Sequence, residues 1–121
     1  NVEGPDFAEL HGFFSNIYED AYSAVDRIAE FIRTSDEYAP GSFERFQELT
    51  QISGQTKVPR ARLMLEELLA DTQTMKDLSK QVFDASTAEG RDDIANFAAD
   101  RLAQHGKYMW QMKSYLKEAR A

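Results

Sequence analysis

The residues best suited to chemistry lie on one stripe of a long amphipathic segment near the start of the chain. At about 100° per residue, Asp26, Glu30 and His11 fall on one side of a helix. Asp26 and Glu30 are one turn apart, so both carboxylates can bind the same cation. One imidazole with two carboxylates suits Fe(II), Mn(II) or Zn(II). The stripe also holds three candidate accessory residues: Ser15, Glu19 and Tyr22.

The histidine and the acid pair are too far apart to share an ion within one helix. His11 precedes Asp26 by 15 residues, which is about 22 Å along a helix axis. An antiparallel two-fold copy of the same helix would place His11 of one chain opposite Asp26 and Glu30 of the other. Such a contact is self-complementary, so each dimer would form the site twice.

Simpler interpretations of these residues stay open. An acid pair four residues apart on a helix is usually a solvated face, and a lone histidine usually has no ligand role. Tyr18 and Tyr22 flank the stripe as candidate electron donors, although aromatic packing is the more common role for such residues. We expect His105 to be a core or interface residue. Met75, Met109 and Met112 are expected to fill the core.

Composition limits the class of protein. The chain has 121 residues, 42% of them hydrophobic and 29% charged, which predicts one globular domain over residues 1–121. The absence of cysteine excludes disulfides, thiolate metal sites and a cysteine nucleophile. The net charge of −7 opposes direct binding to DNA phosphates. No membrane span or secretory segment is visible in the sequence, so a cytoplasmic location is expected.

Hydrophobic periodicity predicts an all-α fold. Apolar residues recur every three or four positions over 5–34, 59–85 and about 91–119, which indicates three long helices. Residues 86–90 are expected to break the second of them. Ser42 is placed to cap a short helix over residues 42–49, in the long connection, with Arg45 positioned for a local ion pair.

Three long helices leave a packing problem, because bundles of this helix length normally have four members. The first helix is apolar over a wide face, and Phe13 and Phe31 lie off its main seam. That face needs either a helix preceding Asn1 or a partner chain to cover it. We therefore expect oligomerisation on the first helix.

Two motifs resemble one family. Residues 1–11 resemble the N-V-x-G-P-x-F-x-x-L-H segment of the Dps family, the mini-ferritins of starved cells. Residues 25–30 resemble that family's D-x-x-A-E ferroxidase motif, at the family's 15-residue offset from the histidine. The similarity continues to the last helix, which contains His105 and Trp110. It covers essentially the whole chain.

The resemblance implies a ferritin-like four-helix bundle, with the first family helix missing or truncated here. It also implies a dodecameric shell that oxidises Fe(II), with peroxide preferred, and stores ferric mineral. His11 would be a ligand from one chain, and Asp26 and Glu30 ligands from its neighbour, with up to two irons per site and Zn or Mn as substitutes. Two departures stand out: the family's other histidine lies just before Asn1, and Ser15 occupies a position that is usually an acid.

Further expectations concern iron entry and partners. The family's acidic pore at the three-fold axis maps onto a segment that includes Asp92, Asp93, Asn96 and Asp100. An acidic first turn that complements the helix dipole explains this segment equally well. We expect no direct DNA binding, because no Lys/Arg-rich tail is present. The alternative function is a non-catalytic Dps-like shell or helical interaction module.

Overall fold

The computed structural model describes residues 1–117. Four helices are present in this part of the chain and no strand, so the predicted all-α class is confirmed. They are α1 (Phe7–Thr34), α2 (Phe43–Leu49), α3 (Ala61–Ala88) and α4 (Asp92–Leu116). The predicted end of the last helix, Ala119, lies outside the described residues.

The chain divides into two compact units. The first comprises residues 1–56 with α1 and α2, and the second starts at Lys57 and contains α3 and α4. The expectation of one domain over residues 1–121 stays a prediction.

Helix α1 positions the candidate ligands, and both of its ends are defined by backbone bonds. It begins two residues after Pro5, where the Phe7 amide donates to the Gly4 carbonyl at 3.1 Å. It ends where Asp36 adopts a left-handed φ of 63°, and the Asp36 amide donates to the Arg33 carbonyl at 3.0 Å. No proline or glycine pair interrupts the 28 residues between, so the helix is continuous.

The buried face of α1 differs from the predicted seam. Leu10, Phe13 and Ala24 are buried, with Phe13 only 7% exposed. Val25 and Ile28 belonged to the predicted seam and are exposed. On a helical wheel the buried residues centre about 50° from that seam. The expectation that Phe13 lies uncovered was wrong, because periodicity cannot decide between neighbouring seams on a helix that is apolar over a wide face.

Helix α2 confirms the predicted short helix. The Ser42 hydroxyl accepts from the Arg45 amide at 3.2 Å, as a helix-capping serine does. Arg45 also forms the expected local ion pair, with 2.8 Å between its Nη1 and Glu48 Oε2. No residue of α2 is buried, and Phe43 is almost fully exposed.

In the second unit, α3 and α4 pack against each other. The guanidinium of Arg62, near the start of α3, donates to the carbonyl of Leu116 at the end of α4, so the helices run antiparallel. Their core contains Leu65, Phe97 and Met112 among others. α3 continues through Ala88 before Gly90 (φ 69°) turns the chain, so the predicted break at residues 86–88 was wrong.

The histidine and the methionines that were predicted to lie in the core differ in their burial. His105 is buried beside Tyr108, with 6.5 Å between the ring centroids, as expected of a core residue. Met109 and Met112 are buried as predicted, whereas Met75 is 37% exposed and is not a core residue. None of the helices in residues 1–117 combines the length and the apolar character that a membrane crossing requires.

Candidate metal centre

The three candidate ligands lie on α1 and are exposed. Asp26 and Glu30 are one turn apart near its C-terminal end, and His11 lies near its N-terminal end. Because α1 is a continuous helix, His11 and Asp26 stay about 22 Å apart along its axis. The chain therefore carries two candidate half-sites, which we call the carboxylate end (Asp26 and Glu30) and the histidine end (His11, Ser15 and Tyr18).

No complete metal site exists within the described part of one chain. Among residues 1–117, no group of three His, Asp or Glu side chains lies close enough to hold an ion. The helix thus brings Asp26 and Glu30 together and keeps His11 away from them. Any site that uses all three requires a second polypeptide.

Among the described residues, the carboxylate end has no counterion. Within residues 1–117 neither Asp26 nor Glu30 forms an ion pair. The nearby Arg27 packs its guanidinium over the Phe31 ring at 5.8 Å. Two like charges at this spacing repel each other, so a cation that binds both relieves that repulsion.

The histidine end is a short row of interacting side chains. The Phe7 ring lies 5.2 Å from the His11 ring, centroid to centroid, and restricts the imidazole from one side. One turn after His11, the Ser15 hydroxyl donates to the His11 backbone carbonyl at 2.9 Å. The Tyr18 hydroxyl lies 3.3 Å from Ser15 Oγ. This row therefore offers an imidazole, a hydroxyl and a phenol along one line of the helix.

Among the candidate accessory residues, the structure distinguishes Ser15 from the other two. Ser15 is half-buried and its hydroxyl is bonded to its own helix, whereas Glu19 and Tyr22 are exposed. Tyr22 is 81% exposed and lies between the histidine end and the carboxylate end of α1. Their roles at a metal stay predictions.

An exposed apolar strip runs beside the candidate ligands. Phe7 and Val25 lie about 100° from Asp26 around the helix, and Val25 is 53% exposed. Tyr18 lies between these two residues and the candidate ligands. Sequence periodicity assigned Phe7 and Val25 to the core, so this strip was missed. The exposed apolar strip and the candidate ligands therefore lie on one continuous face of α1.

The candidate iron-entry residues lie at the start of α4 and are exposed: Asp92, Asp93, Asn96 and Asp100. Arg91 binds Asp93 with two contacts, Nε to Oδ1 at 3.2 Å and Nη2 to Oδ2 at 3.1 Å. This bidentate bond holds the pKa of Asp93 below its ordinary value. Sequence reasoning overlooked Arg91, although an arginine two residues before the aspartate was the visible signal.

A second acidic pair, Glu67 and Asp71, lies on α3. Burial raises the pKa of the Asp71 carboxyl above its ordinary value, and the negative charge of Glu67 one turn earlier raises it further. This pair therefore binds a proton more readily than a solvated carboxylate does. It was not predicted from the sequence.

Comparison with known proteins places these half-sites in a familiar fold. A solved structure of Dps from Staphylococcus aureus matches 98% of this chain and 79% of its own, with a TM-score of 0.93 and 26% identity. The DNA protection during starvation protein of Helicobacter pylori is 26% identical over 117 residues, which are 96% of this chain and 81% of that protein.

A low temperature-induced protein of Nostoc sp. is 32% identical over 120 residues. The alignment covers 97% of this chain and 66% of the relative, so the chain spans just under two thirds of the Nostoc protein. The family model described as a ferritin-like domain matches residues 1–121. The chain therefore belongs to the ferritin-like family, with Dps proteins among its relatives and its structural neighbours.

Proposed function

We propose that the protein is an iron-sequestering mini-ferritin that oxidises Fe(II) at sites shared between two chains. The observation that carries the proposal is the division of one ligand set on α1. An exposed acid pair, which has no ion-pair partner among residues 1–117, lies at one end of the helix. An exposed histidine lies about 22 Å away on the same stripe. Two antiparallel copies bring these halves together.

The chemistry follows from the ligand types. Carboxylates and imidazole bind Fe(II), and carboxylates also stabilise the more highly charged Fe(III) product. Each Fe(II) gives up one electron, and hydrogen peroxide takes two electrons and two protons to become two waters. The reaction therefore removes Fe(II) and peroxide together, which explains a protective role in the cytoplasm. The ferric product would accumulate as mineral inside a closed shell.

The proposed assembly is a homo-oligomer, with a dodecamer as the expected closed form. The exposed apolar strip with Phe7 and Val25 borders the ligand stripe, so a copy that covers the strip also closes the metal site. Burying the strip supplies the hydrophobic driving force for assembly. Direct DNA binding is not part of this proposal, because the net charge is −7.

Stopped-flow absorbance tests the proposal directly. The chain is mixed with Fe(II) and peroxide, and the rise of ferric absorbance in the near ultraviolet is followed. Asp26→Ala with Glu30→Ala should lower the rate at least tenfold. The matched control is Glu44→Ala with Glu48→Ala, which removes an equally spaced, exposed acid pair from α2. Equal rates in the wild type and the Asp26/Glu30 variant would eliminate the assigned site.

The second candidate function is a shell that has lost its chemistry. Ser15 favours it, because a hydroxyl bonded to the His11 carbonyl is a weak metal ligand. A non-catalytic shell predicts a dodecamer in light scattering together with no specific Fe(II) binding in anaerobic calorimetry. Saturable Fe(II) binding that is lost in the Asp26/Glu30 variant would reject this alternative.

A further inference from the structure

We propose that Tyr18 binds the ferric ion at the histidine end of the site through its phenolate oxygen. The inference deepens the proposed function and rests on it, since it names a ligand for the product of the same site. It starts from the contact between Tyr18 and Ser15, whose hydroxyl oxygens lie 3.3 Å apart. From the sequence alone, Tyr18 is expected to be an electron donor or a packing residue.

The direction of the Tyr18 side chain carries the first step. Long side chains on a helix point toward its N-terminus and lie over the preceding turn. The contact with Ser15 shows that the Tyr18 ring follows this rule. Its oxygen therefore lies on the side of α1 that leads to His11, about one turn from it. Ser15 in turn is held by its 2.9 Å bond to the His11 carbonyl.

Exposure carries the second step. Tyr18 is 62% exposed, and its oxygen is close to a short serine side chain that leaves room beside it. An aromatic ring that served only as core packing would be buried. The phenol therefore stands on the surface that carries His11, next to the exposed apolar strip.

The two-fold arrangement carries the third step. Setting His11 opposite the midpoint of Asp26 and Glu30 brings Ser15 to the level of the partner's Ala24, about 3 Å along the axis from the level of the partner's Asp26. The Tyr18 oxygen lies at the level of Ser15. An ion held by the partner's carboxylates is thus within reach of both His11 and Tyr18.

The chemistry of Fe(III) carries the last step. Ferric iron favours anionic oxygen ligands, and tyrosinate is an established iron ligand in proteins. The Ser15 hydroxyl stays neutral and is engaged with the backbone, so the phenol is the better oxygen donor in this row. On binding, the phenol O–H bond breaks, an Fe–O bond forms and the proton passes to water. No electron is transferred in this step.

A spectroscopic experiment tests the ligand without relying on activity. The chain is titrated with ferric nitrilotriacetate in the absence of Fe(II) and peroxide, so that no peroxide adduct can form. Phenolate bound to Fe(III) gives a charge-transfer band in the visible, which imidazole and carboxylates do not give. We expect this band in the wild type, with tyrosinate ring modes in resonance Raman spectra. Tyr18→Phe should lower the band at least tenfold.

Two further variants remove the same hydroxyl elsewhere. Tyr22→Phe tests the accessory candidate of the same stripe as a rival ligand, and Tyr38→Phe is the matched control, since it changes an 88% exposed tyrosine beyond the helix. Both should keep the band. The inference is overturned if Tyr18→Phe keeps the band, if Tyr22→Phe loses it, or if the wild type oxidises iron without showing it. Failure of the proposed function would look different, because the Asp26/Glu30 variant would then oxidise Fe(II) at the wild-type rate.

Discussion

Complementation between two inactive variants gives the sharpest test of the shared site. One variant carries His11→Ala, and the other carries Asp26→Ala with Glu30→Ala. Each alone should be inactive, because every site lacks one of its halves. When both chains are produced together, a mixed dimer contains one site with an intact histidine from one chain and an intact acid pair from the other. Its second site lacks both halves.

The expected magnitude follows from the geometry of α1. Random pairing makes half of the dimers mixed, and each mixed dimer has one working site of two, so the mixture should recover about one quarter of wild-type activity. A site formed within one chain would recover nothing. About 22 Å separates His11 from Asp26 on one straight helix, and no group of three ligands forms within residues 1–117.

The assay uses initial rates of ferric absorbance for equal total chain concentrations. A second mixture sharpens it: wild type is produced with a chain carrying all three substitutions, which leaves working sites only in wild-type dimers. The shared site predicts about one quarter of full activity here, and an in-chain site predicts about one half. Zero recovery in the first mixture, together with one half in the second, would refute the two-chain geometry.

Three further predictions follow from other features. Val25→Lys adds a charge to the exposed apolar strip and should shift light scattering toward smaller species. Val82→Lys, at an exposed valine of α3, is the control, and unchanged assembly in Val25→Lys would contradict the strip's role. Asp92→Asn with Asp100→Asn should slow oxidation about two- to tenfold at low Fe(II) and low salt, because attraction of cations is screened by salt; a salt-independent effect would argue against an entry path. Asp71→Asn should raise the melting temperature at pH 7 by a few degrees at most. For a chain of this size, a shift of about 4 °C corresponds to roughly 1 kcal/mol in the free energy of unfolding. Because the pKa of Asp71 is raised in the folded chain, the stability of the wild type falls as the pH rises through that pKa. The rise in melting temperature caused by Asp71→Asn should therefore become smaller when the pH is lowered to about 3, where the carboxyl is protonated.

The elements were predictable because local chemistry determines them. A 3.6-residue period and the Ser42 cap identified the helices, and Ser42 forms the expected bond to the Arg45 amide. The end of α3 was misplaced because Ser86 and Thr87 are poor helix formers, yet both remain helical and Ser86 is buried. Tertiary packing overrode their intrinsic preference.

The site was only partly predictable because side-chain direction is not visible in the sequence. The residue types and the 15-residue offset predict that His11, Asp26 and Glu30 form one set that needs two chains, and this stays a prediction. The exposed strip with Val25 was missed, since helix periodicity identifies apolar residues without saying which of them are covered. The contact between Tyr18 and Ser15 depends on rotamers, and the bond from Arg91 to Asp93 depends on the path of the turn before α4.

The separation of the half-sites along α1 has a consequence for a newly made chain. Before it meets a second copy, such a chain presents an acid pair without its histidine and a histidine without its acid pair. On the proposed function, newly made chains would thus be inert toward peroxide until they assemble. An ion that bridges two subunits would also oppose their separation by mass action. If that ion is iron and the assembly is the proposed shell, the amount of assembled shell would rise with the iron supply.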